Sequence, residues 1–447
     1  MHRVRLLLPY LRDQGWEAEV LAVDPADVAA PMDAWLGSGL PSEVSVRRVR
    51  ALGLGWCRIP GLGTLTFRAL GALCRKGDTL LKTGKFDLVY FSTTQFGIHV
   101  LGPRWKQKFG VPFIMDYQDP WVSDYYRIHP HVTRPGGRLK YWISERLHRR
   151  QEPGVLRHCA GITSVSAEYP RQMRSRYRWL LFLETLESGM QKAQMGEAAA
   201  SIVKSKPEKH VLLLSILPFP GDERDLTRVR NENVCQNVFS PDDDKLHWVY
   251  VGVCIPAMAL AVRAFFFALN ELFKRQSALR EKLRIHFIGT SYAPRGSAIK
   301  TVEPIAEEFR LTGSVTELTD RIPYSEALRC LLDADALIVP GSDDPGYTAS
   351  KIYPNILARK PLLVVFHEAS SVVEVVNKTK AGTVVTFRDG DSIESVASRI
   401  TATGWLDGPV VPPTDWLAFE PYTAREMTRR LCRVFDTATK NRKKADE

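Results

Sequence analysis

Residues 334–365 read ADALIVPGSDDPGYTASKIYPNILARKPLLVV. Within them, Asp335–Val339 is a short, mainly apolar run of the kind that fills a buried parallel strand, and Leu362–Phe366 is a second such run. The loop between the runs is rich in Gly, Pro and Asp, and a segment with helical spacing follows it. Thr348 or Ser350 is a natural N-cap for that helix. The stretch therefore predicts strand, loop, helix and strand, the repeating unit of a parallel α/β sheet.

The loop and the start of this helix have the residue types of an anion-binding site. In an open parallel sheet, ligands bind where strands end and helices begin. The unpaired N–H groups of a helix start suit a phosphate, Lys351 adds a full positive charge, and Gly346 allows close backbone approach. The same residues also fit a solvated helix lysine and an ordinary turn, and residue types alone leave both interpretations open.

Composition places the chain among ordinary globular proteins. At 447 residues, 45% hydrophobic and 25% charged, it is long enough for two domains. No stretch approaches the roughly 20 uninterrupted apolar residues that a membrane span needs, and the apolar run near the N-terminus is too short for a signal peptide. The seven cysteines are scattered and odd in number, which favours a reducing, cytoplasmic location over a disulfide framework or a zinc site.

The positive charge of the chain is concentrated in its N-terminal part. The whole chain has a net charge of +11, and residues 1–178 hold 27 Lys and Arg against 15 Asp and Glu. This excess predicts an anionic partner for the N-terminal half: a membrane surface, a phosphorylated acceptor or nucleic acid. Nucleic acid ranks last, because the basic residues are not interleaved with aromatic ones. A solvated surface without a partner is the alternative.

Residues 350–365, SKIYPNILARKPLLVV, with the strand and the DDPGYTA loop before them, resemble a segment of a known family. It is the nucleotide-sugar-binding segment of GT-B fold glycosyltransferases, in the family 4-like group (glycosyl transferase group 1). There, a loop and a helix of the C-terminal domain hold the sugar and the diphosphate of the donor. The resemblance implies that Tyr347, Thr348, Ser350 and Lys351 bind the donor.

Two shorter segments, HFIGTSY and RIPYSEAL, also resemble this group. By that resemblance, Gly289 and Thr290 would line the nucleotide pocket. The backbone of Arg321, Ile322 and Pro323 would face the base, whose flat edge can pair with backbone N–H and C=O groups.

Residues 86–121, FDLVYFSTTQFGIHVLGPRWKQKFGVPFIMDYQDPW, resemble a segment of the N-terminal domain of the same enzymes. Asp116 and Asp119 lie at the end of its second predicted strand, which faces the interdomain cleft in that family. A carboxylate there could accept a proton from an acceptor hydroxyl or bind hydroxyls of the donor. Alternatively, Asp119 caps a helix and Asp116 holds a loop. Trp121 could stack on a sugar ring or pack beneath the loop.

Two departures from the family pattern bear on activity. Many members carry two acidic residues about eight positions apart around the donor-binding helix, where this chain has Gly346 and Pro354. Many also carry an Arg and a Lys after the first strand of the second domain, where this chain has Val253 and Ala257. Lys351, the helix start and Arg263 would then have to neutralise the diphosphate.

The predicted organisation begins unusually. A helix over residues 2–14 precedes the first predicted strand, so the first strand of an N-terminal Rossmann-like domain is missing, and we expect a strand and a Gly-Gly turn upstream of Met1. Residues 177–210 interrupt the pattern and read as an insertion with a possible helix, Leu180–Ala200. The predicted parts are an N-terminal acceptor-side domain (1–217), a linker (218–244), a C-terminal nucleotide-sugar-binding domain (245–415) and a helix and tail that cross back (416–447).

The resemblance implies an α/β GT-B protein with two Rossmann-like domains whose parallel sheets face a cleft. The implied activity is transfer of a hexose-type sugar from a nucleoside diphosphate sugar to an acceptor hydroxyl, with retention and without a metal or other cofactor. The acceptor would be a glycan or lipid-linked, and the pathway glycan or polysaccharide biosynthesis, with possible peripheral contact with an anionic membrane. Two alternatives remain: a nucleotide-sugar epimerase of the same fold, and an inactive nucleotide-sugar-binding protein.

Overall fold

The computed structural model of the protein describes residues 2–28, 33–58, 63–128, 137–184, 209–293, 296–344, 347 and 349–446. The chain divides into two compact units. Unit 1 comprises Met1–Ala34, Gly39–Phe219 and Arg425–Glu447, and unit 2 comprises Trp35–Ser38 and Pro220–Ala424. Each unit contains a parallel sheet flanked by helices.

Seven strands lie within the described residues of unit 1. Five of them form a parallel sheet in the order β3-β4-β5-β7-β6, and β1 and β2 form a separate parallel pair. Their bounds are β1 Glu19–Val23, β2 Ser45–Val49, β3 Val89–Ser92, β4 Phe113–Tyr117, β5 Gly161–Ser164, β6 Leu180–Glu184 and β7 His210–Ile216. All residues of β4 are buried because neighbouring strands cover its edges and helices cover its faces.

The helices through residue 176 are α1 His2–Leu11, α2 Ala34–Ser38, α3 Leu65–Thr83, α4 Leu101–Phe109, α5 Tyr125–Ile128, α6 Arg138–Leu156 and α7 Glu168–Arg176. All except α2 belong to unit 1, which also contains the last helix of the chain, Ala424–Asp446. Leu7 and Leu8 of α1 share a buried cluster with Leu431 and Phe435 of that last helix. The prediction of an upstream strand stays a prediction.

One prediction for unit 1 was wrong in its local structure. Leu180–Glu184 is a strand and not the start of a helix, because it pairs in parallel with His210–Ile216, a partner remote in sequence. Residues 185–208, the rest of the predicted insertion, lie outside the described residues. Helix α6 contains Pro153 inside its last turns and continues to Leu156, a residue in the buried core.

Unit 2 is built on a six-stranded parallel sheet with the order β10-β9-β8-β11-β12-β13. The strands are β8 Leu246–Val251, β9 Leu283–Ile288, β10 Val315–Leu318, β11 Ala336–Pro340, β12 Leu362–His367 and β13 Thr383–Phe387. Every residue of β11 and β12 is buried. These are the two apolar runs of the 334–365 stretch, and they lie side by side in register from Leu337 opposite Leu362.

The remaining helices are α8 Glu223–Asn231, α9 Ala259–Arg275, α10 Ser277–Lys282, α11 Glu303–Glu308, α12 Tyr324–Asp333, α13 Ile352–Leu357, α14 Ser371–Thr379, α15 Ile393–Ala402, α16 Trp416–Phe419 and α17 Ala424–Asp446. Among the described residues, one segment, Pro256–Arg275, is long and apolar enough to cross a membrane by length and composition alone. It contains α9, whose Phe265, Phe266 and Leu269 are buried in the core of unit 2, so it has the character of a core helix.

Unit 2 also differs from the predicted elements. The segment read as a linker contains α8, whose Leu226 and Val229 belong to the core of unit 2. Helix α11 begins at Glu303, and the carboxylate of Glu317 accepts hydrogen bonds from the N–H groups at its start. In unit 1, α17 extends through Asp446, so the predicted tail belongs to this helix up to that residue.

Candidate functional site

The carboxyl ends of β8, β9 and β10 are connected by backbone hydrogen bonds in unit 2. The N–H of Gly252 donates to the carbonyl of Ile288 at 2.8 Å, and the N–H of Gly289 donates to that of Leu318 at 2.7 Å. Gly289 has a positive φ of 72°, which few residues other than glycine adopt easily. These turns gather the loops that follow the strands at one edge of the sheet, where an open α/β sheet binds its ligand.

Lys351 is the half-buried cation of this edge. Its Nζ lies 6.0 Å from the centroid of the Tyr250 ring and packs against the backbone of Gly252. Burial, and secondarily the positive charge of Arg321, lowers the pKa of Lys351 to about 8. Among the described residues, no carboxylate lies within ion-pair distance of this ammonium group. Lys351 and Arg321 are neighbouring cations, and the structure records no ion pair of either with a carboxylate of the described residues, which favours a bound anion.

Flat side chains lie beside the two cations. The Tyr292 side chain is 70% exposed, and the guanidinium of Arg321 lies over its ring at 4.5 Å from the centroid. Tyr347 is half-buried, and its burial together with the nearby Tyr292 raises its pKa to about 12. A ring and a guanidinium plane of this kind can stack on a nucleobase.

The residues predicted from the HFIGTSY and RIPYSEAL segments have different surroundings. Thr290 is buried, and its hydroxyl donates to Glu317 at 2.6 Å, so that hydroxyl is already used within unit 2. Arg321 and Pro323 are exposed, and Ile322 packs partly against the core. Gly289 and the backbone from Arg321 to Pro323 therefore remain the accessible parts of the predicted base site.

The predicted donor-binding helix is shorter than expected. Helix α13 spans only six residues, Ile352–Leu357, and a turn at Ser350 and Lys351 precedes it. Ser350 does not cap the helix: the N-cap position is Lys351, with no side-chain cap hydrogen bond. Thr348 and Gly346 lie outside the described residues. So short a helix contributes little dipole, and the charge of Lys351 is the main electrostatic feature here.

The departures from the family pattern have structural counterparts. Val253 is buried, and its carbonyl accepts a hydrogen bond from the Tyr250 hydroxyl at 2.8 Å. Arg263 is paired with Glu308, with Nη2 and Oε1 2.9 Å apart, so its charge is not available to a diphosphate. Within the described ranges, no group of three or more His, Cys, Asp or Glu side chains is arranged to hold a metal ion.

Asp116 of unit 1 is a fully buried carboxylate with four donors. It accepts hydrogen bonds from Arg3 Nε at 3.0 Å, Ser92 Oγ at 3.1 Å, Gln118 Nε2 at 2.8 Å and Thr163 Oγ1 at 2.8 Å. The side chains of Asp116 and Arg3 have no exposed area. A carboxylate satisfied in this way holds the sheet, α1 and the loop after β4 together.

Asp119 has the opposite environment. The residue is exposed to solvent. Neighbouring protein atoms still desolvate its carboxyl group in part and raise its pKa above the ordinary value, which is the direction that a general base needs. Trp121 beside it is buried and stacks on Phe96 at 5.9 Å, so its ring is part of the packing and is not free to bind a sugar. Of the two aspartates, Asp119 is therefore the one placed to meet a ligand.

Reasoning from sequence missed four residues of these sites: Arg3, Tyr250, Gly252 and Tyr292. A signal existed for Gly252, a glycine directly after an apolar strand. No such signal existed for Arg3, because the neighbouring sequence does not indicate that its guanidinium pairs with a carboxylate 113 positions away.

Part of the chain is similar in sequence to a known family of proteins. Residues 2–179 match the family model described as a glycosyl transferase 4-like domain. No protein among those with curated descriptions is significantly similar in sequence.

Solved structures resemble the chain over nearly its whole length. HepE of Anabaena, in complex with UDP and glucose, is 12% identical with a TM-score of 0.55, over 96% of this chain and 94% of that one. A glycosyltransferase from Rickettsia africae is 10% identical with a TM-score of 0.54, over 98% and 94%. Sucrose-phosphate synthase from Thermosynechococcus elongatus is 12% identical with a TM-score of 0.51, over 99% and 91%.

Identities this low establish the fold and not the substrate. They give no support to the epimerase alternative. This chain therefore has the GT-B fold, with two Rossmann-like units, and its residues 2–179 are similar to the glycosyl transferase 4-like domain.

Proposed function

We propose that the protein is a glycosyltransferase that transfers a hexose-type sugar from a nucleoside diphosphate sugar to an acceptor hydroxyl, with retention of configuration. The observation that carries this proposal is Lys351, a half-buried cation next to Arg321 with no carboxylate of the described residues to neutralise it. Burying a charge without a partner is costly, so a site that keeps one is built for an anion that arrives with the ligand.

The donor binds to unit 2. Its diphosphate lies against Lys351, and its base lies on the surface formed by Tyr292, Arg321 and the backbone up to Pro323. As the bond to the sugar breaks, negative charge builds up on the diphosphate, and the ammonium group of Lys351 stabilises it. We propose that these protein cations fill this role without a metal or other cofactor.

The acceptor binds to unit 1 at Asp119. An exposed carboxylate with a raised pKa can accept the proton of the acceptor hydroxyl or hold that hydroxyl in place. Asp116 supports the loop from below and does not meet the substrate, since its oxygens already accept four hydrogen bonds. We propose a glycan or lipid-linked acceptor, a role in glycan or polysaccharide biosynthesis and a cytoplasmic location.

UDP-linked sugars are the first donors to test, because UDP and glucose are bound to the HepE structure, a protein of the same fold. Isothermal titration calorimetry with UDP, GDP and UDP-glucose measures binding, and a radiolabelled donor with a panel of acceptors measures transfer. Binding of a nucleotide that is lost in Lys351→Ala and kept in Lys378→Ala, an exposed lysine of α14, supports the donor site. Absence of any nucleotide binding by the wild-type protein contradicts it.

An inactive nucleotide-sugar-binding protein is the second candidate. Pro354 is inside α13, at one of the two positions where many relatives have an acidic residue. Tight nucleotide binding without transfer or donor hydrolysis, across the donor and acceptor panel, would favour this candidate over the transferase.

A further inference from the structure

Helix α6 of unit 1 exposes apolar side chains along one side. Trp142, Ile143 and Leu147 are 55%, 52% and 51% exposed, and Arg146 and Arg150 are also exposed. The spacing of these five residues, i, i+1, i+4, i+5 and i+8, places them on one face of the helix. We call this face the outer stripe of α6.

The inner side of α6 is fixed to the rest of unit 1 by buried polar contacts and, at its C-terminal end, by the buried Val155 and Leu156. Glu152 is buried and accepts hydrogen bonds from the hydroxyls of Tyr117 at 3.2 Å and Tyr177 at 2.7 Å. Arg149 donates to Asp124 at 2.7 Å and to Glu145 at 2.8 Å. These contacts hold the helix in its orientation, so the apolar side chains of the outer stripe stay exposed.

The charges within the outer stripe are all positive. The guanidinium of Arg146 lies 5.6 Å from the centroid of the Trp142 ring. In the part of the chain that the structure describes, no acidic side chain lies within ion-pair distance of Arg146 or Arg150. About two turns beyond Arg150, exposed Arg157 continues the same face and lies over the Trp179 ring at 4.7 Å. The stripe thus combines apolar side chains with cations that have no carboxylate partner.

A second exposed apolar group is connected to α6 through a short 3-10 helix. Trp56 and Phe67 are 39% and 43% exposed, with their rings 6.3 Å apart. Thr66, next to Phe67, donates a hydrogen bond to Gln95 at 3.4 Å, and Phe96 lies against His148 of α6 at 6.3 Å. Trp56 and Phe67 are thus a second exposed apolar pair in unit 1.

We propose that the outer stripe of α6 docks the protein on an anionic lipid bilayer. Tryptophan and aliphatic side chains insert at the level of the headgroups, and arginines at the same level bind lipid phosphates. The excess of basic residues over residues 1–178 adds long-range attraction to an anionic surface. An apolar protein partner would explain the three apolar residues but not the arginines without an acidic partner.

This docking is independent of the donor site. Its consequence for the reaction, that the acceptor hydroxyl belongs to a lipid-linked molecule, rests on the proposed function. A glycosyltransferase held on the bilayer in this way would meet such an acceptor at the membrane surface.

The test is sedimentation of the full-length protein with vesicles of phosphatidylcholine alone and with about 30% phosphatidylglycerol. We expect binding to the anionic vesicles only, weakened by added salt because exposed charges are screened. The double variant Ile143→Ser/Leu147→Ser is expected to lose binding at least tenfold, and Arg146→Gln/Arg150→Gln about fivefold for each arginine. Leu417→Ser, at a 79% exposed position of unit 2, is the matched apolar control and should bind as the wild type.

Three outcomes would overturn the proposal: no binding of the wild type to anionic vesicles, unchanged binding of both stripe variants, or loss of binding in Leu417→Ser as well. Self-association that the Ile143→Ser/Leu147→Ser variant abolishes, without vesicle binding, would assign the stripe to a second copy of the chain and also overturn it. The vesicle assay contains no nucleotide and the calorimetry contains no lipid, so each proposal can fail without the other.

Discussion

A β-carbon on Gly252 would lie 2.4 Å from the Nζ of Lys351 and 2.6 Å from the hydroxyl oxygen of Tyr250. The ammonium group is thus held between a strand end without a side chain and the face of a buried tyrosine ring. This contact fixes where the positive charge of the candidate donor site lies. The first four predictions below depend on this charge, and the last two depend on buried polar pairs elsewhere.

Gly252→Ala should displace Lys351 and weaken donor binding. The lysine can move, but Tyr250 is buried and its ring cannot, so we also expect a loss of about 1–3 kcal/mol in the free energy of unfolding. Calorimetry with UDP and urea denaturation measure the two effects. Gly408→Ala is the matched control, because a β-carbon there meets nothing within 4 Å; equal effects in both variants would contradict the contact.

Lys351→Ala should lower the affinity for UDP by about tenfold or more, since a charge-assisted hydrogen bond is worth roughly 1.5–3 kcal/mol. The exposed Lys378 provides the comparison, and Lys378→Ala should bind UDP as the wild type does. An unchanged affinity in Lys351→Ala would remove this residue from the site.

UDP affinity should fall as the pH rises through about 8. Burial and Arg321 lower the pKa of Lys351 to about 8, so its ammonium loses its proton there, whereas a phosphate is already fully ionised above about pH 7. Titrations with UDP between about pH 7 and pH 9 test this, with Lys351→Arg as the variant that stays charged. The UDP affinities of the wild type and Lys351→Arg should diverge as the pH rises. Parallel curves of affinity against pH would contradict the lowered pKa.

The lowered pKa of Lys351 also affects stability with the opposite sign. Its folded-state value, about 8, lies below the ordinary value of 10.5, so the unfolded chain binds more protons between them. This group therefore destabilises the ligand-free protein below about pH 8, and the penalty disappears as the pH rises toward 10.5. Lys351→Met should remove this part of the pH dependence in urea denaturation.

Arg3→Met should destabilise unit 1 by about 3–5 kcal/mol, because it leaves the carboxylate of Asp116 buried without its charged partner. The double variant Arg3→Met/Asp116→Asn should recover part of this loss. Arg47→Met breaks an exposed pair with Glu19 and should cost less than about 1 kcal/mol. Urea denaturation compares the three variants. If Arg3→Met were as stable as Arg47→Met, the structural role of the Arg3–Asp116 pair would be contradicted.

Unit 2 should lose stability as the pH falls from about 6.5 to about 4. The rings of His247 and His286 are hydrogen-bonded at 2.9 Å, with Asp243 at one end and Thr316 at the other. Burial, and then the charges of His247 and Arg284, lowers the pKa of His286 to about 4, so the unfolded chain takes up the proton first. The loss is on the order of 2 kcal/mol, and His286→Gln should flatten it in denaturation measured across this pH range.

The sequence by itself determined the fold class. Ala336–Pro340 and Leu362–His367 are strands because short apolar runs between turn residues have no other way to bury both faces, and this information is local.

Only the tertiary structure decided what the candidate site residues do. Asp116 and Asp119 are three positions apart, and their roles differ because Arg3 and Thr163, distant in the chain, bond to the first and not to the second. The strand Leu180–Glu184 exists because His210–Ile216 pairs with it. The pKa of Lys351 depends on burial and on Arg321, which the chain places beside it only when the sheet of unit 2 has formed. Periodicity and capping are properties of neighbours in sequence, whereas charge, burial and pairing are properties of neighbours in space.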